Sequence, residues 1–134
     1  MKSFKQFLAE EVTMGININD KRSPWTDLIL SGQKTIETRA SKSLHPYVGK
    51  RVALIQTGKG KAKIVGLATI GEPIHYDTIE AFRADVNKHR VNPDTGYDIE
   101  TTKYGYPLKD VQKIHTPIEV GSRGIVARNV RGLV

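Results

Sequence analysis

Cysteine is absent from this chain of 134 residues. That excludes disulfides, a thiolate nucleophile and any zinc site built on thiolates, and it agrees with a reducing compartment. Long apolar runs are missing too. The longest falls far short of the roughly 20 residues that a membrane-spanning helix needs, so no membrane partner is expected. Acidic residues are few beside basic ones, 14 Asp plus Glu against 21 Lys plus Arg, for a formal charge of +7. The excess makes a polyanion the leading partner class, RNA first and DNA second, although a basic pI also serves simply to keep a small protein dispersed. There is no carboxylate cluster at metal-ligand spacing. The histidines, His45, His75, His89 and His115, lie far apart, so neither a metal nor another cofactor is expected. No internal repeat or low-complexity tract interrupts the chain, and its length suits one domain with its own core.

The most informative segment runs from Ser23 to Arg39, Ser-Pro-Trp-Thr-Asp-Leu-Ile-Leu-Ser-Gly-Gln-Lys-Thr-Ile-Glu-Thr-Arg. Pro24 suits the first turn of a helix and Ser23 is placed to cap it. Trp25, Leu28 and Ile29 recur at helical spacing until Gly32 ends the run. The period then changes from helical to alternating. On a strand, Lys34, Ile36 and Thr38 point one way while Thr35, Glu37 and Arg39 point the other, so Glu37 and Arg39 share a face.

Elsewhere the pattern predicts a strand over 14–18, a turn-rich connection over 40–50, a strand over 51–57 and a long strand over 62–70, with Gly66 marking a bulge or bend. Gly58-Lys59-Gly60-Lys61 reads as the hairpin turn between the last two; it is too short for a P-loop. A helix over 78–88, with Asp77 as cap, follows from the spacing of Ile79, Phe82 and Val86. Residues 91–106 read as a long loop or flap, 111–118 as a strand pushed toward an edge by Pro117, 124–128 as a last strand, and 129–134 as a loose tail. Periodicity by itself gives an α+β chain, mainly antiparallel.

Gly32-Gln33-Lys34-Thr35-Ile36-Glu37-Thr38-Arg39 resembles the signature of the ASCH domain family, a branch of the PUA-like fold, whose pattern is Gly-x-Lys-x-x-Glu-x-Arg after a short helix. The resemblance extends from about Gly15 to Arg128 through Val52-Ala53-Leu54-Ile55, Gly66-Leu67-Ala68-Thr69-Ile70, Tyr106-Pro107-Leu108 and Thr116-Pro117-Ile118. It implies a small mixed, mainly antiparallel β-barrel of five or six strands with two or three flanking helices, here an ASCH domain over 13–134. It also implies that Lys34, Glu37 and Arg39 line a cleft, with Trp25 at its mouth.

Within that family one branch resembles an amidohydrolase of N4-acetylcytidine that uses a lysine, a threonine nucleophile and a glutamate. Lys34 matches the lysine, but Glu37 stands at the nucleophile position, Thr35 should point to the opposite face, and Asp85 and Asn87 give no clean match for the glutamate. Another member is a metal-dependent ribonuclease. The departures favour a binding module for RNA or a modified nucleoside over a hydrolase acting on either. In a binding role Lys34 and Arg39 would hold phosphate or carbonyl oxygens, Glu37 would accept from an exocyclic amine, and Trp25 or Tyr106 would stack on a base. In a hydrolase Lys34 would be the general base, with Glu37 beside it. The plain alternative is a structural ion pair on the barrel wall. A second constellation, Arg51, Lys59, Lys61 and Lys63, suits a phosphate backbone if the three hairpin lysines alternate onto one face; a solvated turn is the rival reading.

Phe4, Phe7 and Leu8 give residues 1–12 the spacing of an amphipathic helix. The segment is no secretory signal, since Lys5 and Gln6 break its apolar stretch. It resembles the capsid-targeting leader of internal head proteins of large tailed bacteriophages, with Leu8-Ala9-Glu10 at the Leu-x-Glu prohead protease site. That resemblance implies a phage protein of the host cytoplasm or the virion, with the prohead protease and the capsid interior as partners through residues 1–10.

Overall fold

A computed structural model describes residues 12–93 and 103–134 of the chain. The expected leader helix therefore lies outside the described residues, as does the 94–102 part of the expected flap. Seven strands form one mixed sheet: β1 (Met14–Asn19), β2 (Ile36–Arg39), β3 (Arg51–Thr57), β4 (Lys63–Ile70), β5 (Ile74–Tyr76), β6 (Lys103–Glu119) and β7 (Ala127–Asn129). The order is β2-β6-β4-β3-β1-β7, with β5 also on β6. Only β1 and β3 run parallel among these pairs. The sheet curls into a half-barrel with three short helices, α1 (Trp25–Leu30), α2 (Ile79–Ala84) and α3 (Val86–His89). This is the expected mixed, mainly antiparallel architecture, with seven strands among the described residues in place of five or six.

The hollow of the half-barrel holds the larger core: Ile16 and Ile18 of β1, Val52 and Leu54 of β3, Ala68 and Ile70 of β4, Tyr106 and Leu108 of β6, closed by Ile29 of α1 and by Leu44. A second cluster, Ala53, Ile55, Ile64 and Val130, packs on the convex side. Strand β3 is buried on both faces, which is why it reads as an unbroken Val-Ala-Leu-Ile run. A register shift between Leu54 and Ile55 pairs Leu54 with Gly66 but Ile55 with Ile64, leaving Val65 as the extra residue. The bulge turns Ile64 to the convex cluster while Ala68 and Ile70 stay inside. Gly66 is required there, because a Cβ would lie 2.6 Å from Leu30 Cδ2 and 2.7 Å from the Gln112 carbonyl oxygen.

Several sequence expectations are corrected. Residues 103–106 are not loop but the start of a 17-residue β6, which passes through Asp110 in the left-handed region, φ 49°. Aspartate tolerates that conformation, and the irregular register there bends the strand without ending it. The helix expected over 78–88 is two short helices separated at Asp85, and its cap is Thr78, whose hydroxyl accepts from the Ala81 N–H at 3.1 Å. Asp77 instead faces His75 at 3.1 Å. The last strand is 127–129, and the tail is anchored: Val130 is buried and its N–H bonds the Thr13 carbonyl at 2.9 Å. Among the described residues no helix is long and apolar enough to cross a membrane.

Helix α1 is started from a distance. Pro24 holds the N-cap position without a side-chain bond, and Ser23 does not cap. The cap is Asp20, at the end of β1: its Oδ1 accepts from the Thr26 N–H at 3.1 Å, while its Oδ2 accepts from the Thr26 hydroxyl and from Gln56 Nε2, the latter at 2.8 Å. Asp20 and Thr26 are both 1% exposed, so this knot ties β1, β3 and α1 together in the interior. Asp20→Ala would remove the acceptor of the Thr26 N–H and hydroxyl and leave Gln56 Nε2 with the Thr26 hydroxyl oxygen, at 3.0 Å, as its remaining partner in the knot. It is expected to cost about 1–3 kcal/mol in urea unfolding, with the slope unchanged; a midpoint equal to wild type would contradict the capping role.

Candidate nucleobase cleft

Gly32, at φ 83°, ends α1 by adopting a conformation that residues with a Cβ avoid; the space around it is empty, so the backbone angle alone demands glycine. The Lys34 N–H then bonds the Leu28 carbonyl at 2.9 Å, and regular strand begins only at Ile36. This late start overturns the expected alternation. Lys34 lies before the strand, so its side chain turns to the same side as Glu37 and not to the opposite one. Its Nζ donates to the Ile36 carbonyl at 2.8 Å and the His89 carbonyl at 2.6 Å, stands 3.5 Å from Glu37 Oε1, and sits 4.9 Å from the centre of the Trp25 ring. Three protons thus have three acceptors.

Glu37 and Arg39 share a face as alternation requires, and Arg39 Nη2 donates to Glu37 Oε2 at 2.9 Å. The same nitrogen donates to the Asn17 carbonyl at 2.7 Å. Arg39 sits on an outermost strand of the sheet, whereas Asn17 belongs to β1 near the opposite edge. The guanidinium therefore spans the open seam of the half-barrel. Glu37, 7% exposed, is held below the ordinary carboxylate range: burial opposes its charge, but the Arg39 and Lys34 cations and their hydrogen bonds outweigh that cost. Burial pulls the Lys34 ammonium below the usual lysine value while Glu37 pulls against it.

Over this seam opens a cleft of about 640 Å³, lined by Trp25, Lys34, Glu37 and Arg39 together with residues that sequence reasoning missed. Among these are Asn17, Lys21, Arg22, Ile125 and Arg128. Asn17 organises the far wall. Its amide donates to the Gly124 and Ile125 carbonyls at 2.8 and 3.0 Å, and its Oδ1 accepts from Arg128 Nε at 3.1 Å. The loop so held presents Ile125, 96% exposed, at the rim. The only sequence signals for these residues were an asparagine inside a first strand and an isolated apolar residue after Ser-Arg-Gly. Among the described residues, five basic side chains, Lys21, Arg22, Lys34, Arg39 and Arg128, meet one acid, Glu37, in the lining.

Other expected site residues fall elsewhere. Tyr106 has no exposed ring face. It is buried in the core with its hydroxyl 2.5 Å from His45 Nδ1, because its register partner is Glu37 and both point into the hollow. It cannot stack on a base. Arg51 lies outside the cleft, donating to the Thr69 hydroxyl at 3.2 Å and to Gln112 at 3.5 Å. Lys59 and Lys61 sit in the turn rather than on a strand, and Gly58 and Gly60 take positive φ there, so strand alternation does not apply to them. Lys63 opens β4, opposite Gln56 on one side and Glu119 on the other. Thr35 is exposed, with its N–H on the Lys88 carbonyl. Asp85 accepts from the Tyr76 hydroxyl at 2.6 Å, which, after burial, is the second cause raising that tyrosine's pKa. Among the described residues no group of three or more His, Asp or Glu is arranged to hold a metal ion.

The buried triad makes a signed prediction. Because Glu37 has a lower pKa folded than unfolded, its stabilisation is complete above about pH 4.5 and is lost as pH falls through the folded value. Glu37→Gln leaves the Lys34 ammonium buried without its counter-charge and is expected to cost about 3–5 kcal/mol at pH 7. The gap between the thermal melts of the two proteins should be constant above about pH 4.5 and narrow as pH falls below it, where the unfolded wild-type chain takes up a proton at this carboxylate. Parallel curves would contradict the assignment.

No family model and no curated protein sequence matches this chain. Solved structures do match. A serine-to-alanine variant of the ASCH protein of Zymomonas mobilis aligns with TM-score 0.69 and 19% identity over 92% of this chain and 91% of that one. The ASCH protein of the same organism aligns with TM-score 0.63 and 22% identity over 80% and 73% of the two chains. Its tyrosine-to-phenylalanine variant gives 0.63 and 23%, over 80% and 75%. The chain therefore shares the fold of these ASCH proteins.

Proposed function

We propose that the cleft binds a nucleobase, in RNA or as a modified nucleoside. A fold hosts many functions, so the reading rests on the site. The observation that carries it is the meeting, in one cleft, of a half-buried indole, a carboxylate kept ionised by two cations, and a basic rim. A base has a flat apolar face for Trp25 and an edge with N–H donors for Glu37. Each carboxylate oxygen has two acceptor positions, and Lys34 and Arg39 occupy one on each, so acceptor capacity remains. Ile125 offers an apolar contact from the other side of the mouth, and Lys21, Arg22 and Arg128 supply positive charge for the attached phosphate.

Binding rather than hydrolysis is what these residues support. A carboxyl held well ionised by two cations is a weak base, and the Lys34 ammonium already donates its protons to two carbonyls and Glu37. No histidine lines the cleft among the described residues.

Trp25 is the single tryptophan of the chain, so intrinsic fluorescence reports directly on the cleft. Titration with short single-stranded RNA should quench it saturably. Ile125→Asp, at a side chain with no packing to lose, replaces an apolar contact at the mouth by a negative charge and should weaken binding about tenfold, roughly 1.4 kcal/mol. Unchanged fluorescence, or binding that follows salt alone and ignores Ile125→Asp, would overturn the proposal in favour of unspecific attraction to any polyanion, packaged DNA included.

A further inference from the structure

A second depression, of about 490 Å³, lies beside the cleft between the hairpin that joins β3 to β4 and residues 119–121 at the end of β6. Thr57 and Arg128 line both hollows, so the two adjoin at these residues, and we treat them as one trough. The hairpin is seated firmly. Gly58, at φ 82°, lies so near the turn after β1 that a Cβ would fall 2.2 Å from Asn19 Oδ1 and 2.7 Å from the Lys21 nitrogen, and the Asp20 N–H bonds the Thr57 carbonyl at 2.8 Å. This contact sets the Gly58 end of the turn, which carries Lys59 and Lys61, against the backbone of Lys21, which lines the first cleft.

The two parts of the trough differ in chemistry. The first has an indole, a buried carboxylate and an exposed isoleucine. Among the described residues the second has no aromatic side chain, and its lining includes Gly58, Gly60, Gly121, Lys61, Arg128 and a single acid, Glu119. It offers nothing on which a base would stack, but it has open backbone and positive charge, which suit a sugar–phosphate chain. Lys61 and Glu119 stand 3.9 Å apart with side chains 79% and 64% exposed, a pair that water weakens, so a phosphate can displace Glu119 from Lys61 at little cost.

We infer that the ligand is an oligonucleotide strand: one base enters the cleft, and the strand continues past Arg128 onto the Gly58–Lys61 hairpin, where Lys59 and Lys61 hold its phosphates. The inference rests on the base-binding reading of the cleft and goes beyond it in excluding a free nucleoside as the full ligand.

Trp25 fluorescence separates the two claims. Wild type, the Lys59→Ala/Lys61→Ala double variant and Glu119→Gln are each titrated with the four ribonucleosides and with a ten-nucleotide single-stranded RNA, at several salt concentrations. The expected result is an oligomer at least tenfold tighter than any nucleoside, a ratio that collapses several-fold in the double variant, and a modest gain, about two- to fivefold, in Glu119→Gln. The slope of log affinity against log salt should fall by about 1.4 in the double variant, since each single-strand phosphate deprived of its lysine lowers it by about 0.7. Equal oligomer affinity and salt slope in the double variant and wild type would overturn the path while leaving base binding intact. Quenching by neither ligand would overturn the base-binding reading, and this inference with it.

Discussion

The structure turns on a charge taken out of water. Glu37 is buried, and a carboxylate can be ionised there only with cations in contact. Lys34 and Arg39 provide them, and each is simultaneously tied to backbone far away in sequence: Lys34 to the end of α3 through the His89 carbonyl, Arg39 to β1 through the Asn17 carbonyl. One carboxylate therefore fixes the helical layer to the sheet and the two sides of the half-barrel to each other. The remaining bonds around it keep this geometry. The His89 ring is locked by donating Nε2–H to the Phe82 carbonyl and accepting the Val91 N–H at Nδ1, which holds the His89 carbonyl where Lys34 needs it. Asn17 meanwhile binds the 124–125 loop and Arg128, so the wall of the cleft is built from the residue that Arg39 touches.

Much of this was legible where local chemistry decides. The bounds of β3 follow from its apolar run between Gly49 and the Gly58 turn, and the stop of α1 at Gly32 follows from the need for positive φ. The bulge near Gly66 was visible because a glycine inside an apolar strand signals close approach. The Glu37–Arg39 contact followed from period-two alternation, which holds once the strand has begun.

What escaped sequence reading depends on partners distant in the chain. Lys34 was assigned the wrong side because no local signal says that the strand begins at Ile36; the preceding residues are held by Leu28 and Lys88 instead. Tyr106 read as a stacking residue because a tyrosine beside glycine and proline suggests a loop, whereas its register opposite Glu37 sends the ring into the core. The cap of α1 was read as Ser23, the polar residue next to Pro24, whereas the role of Asp20 exists only because β1, β3 and α1 meet there. The hairpin lysines were expected to alternate, but positive φ at Gly58 and Gly60 replaces strand geometry through the turn.

Burial divides the electrostatics of the trough into two kinds of work. Glu37 and its two cations are shielded from solvent, so added salt screens them little, and their arrangement is complete before any ligand arrives. A base edge that presents donors to Glu37 meets an acceptor that need not reorganise. Lys59 and Lys61 are exposed and act through water, so their attraction for phosphate falls as salt rises. In the proposed complex, affinity for a strand would come mainly from the exposed lysines, and preference among bases from the buried triad. The two respond differently to ionic strength because one set of charges was dehydrated when the chain folded and the other was not.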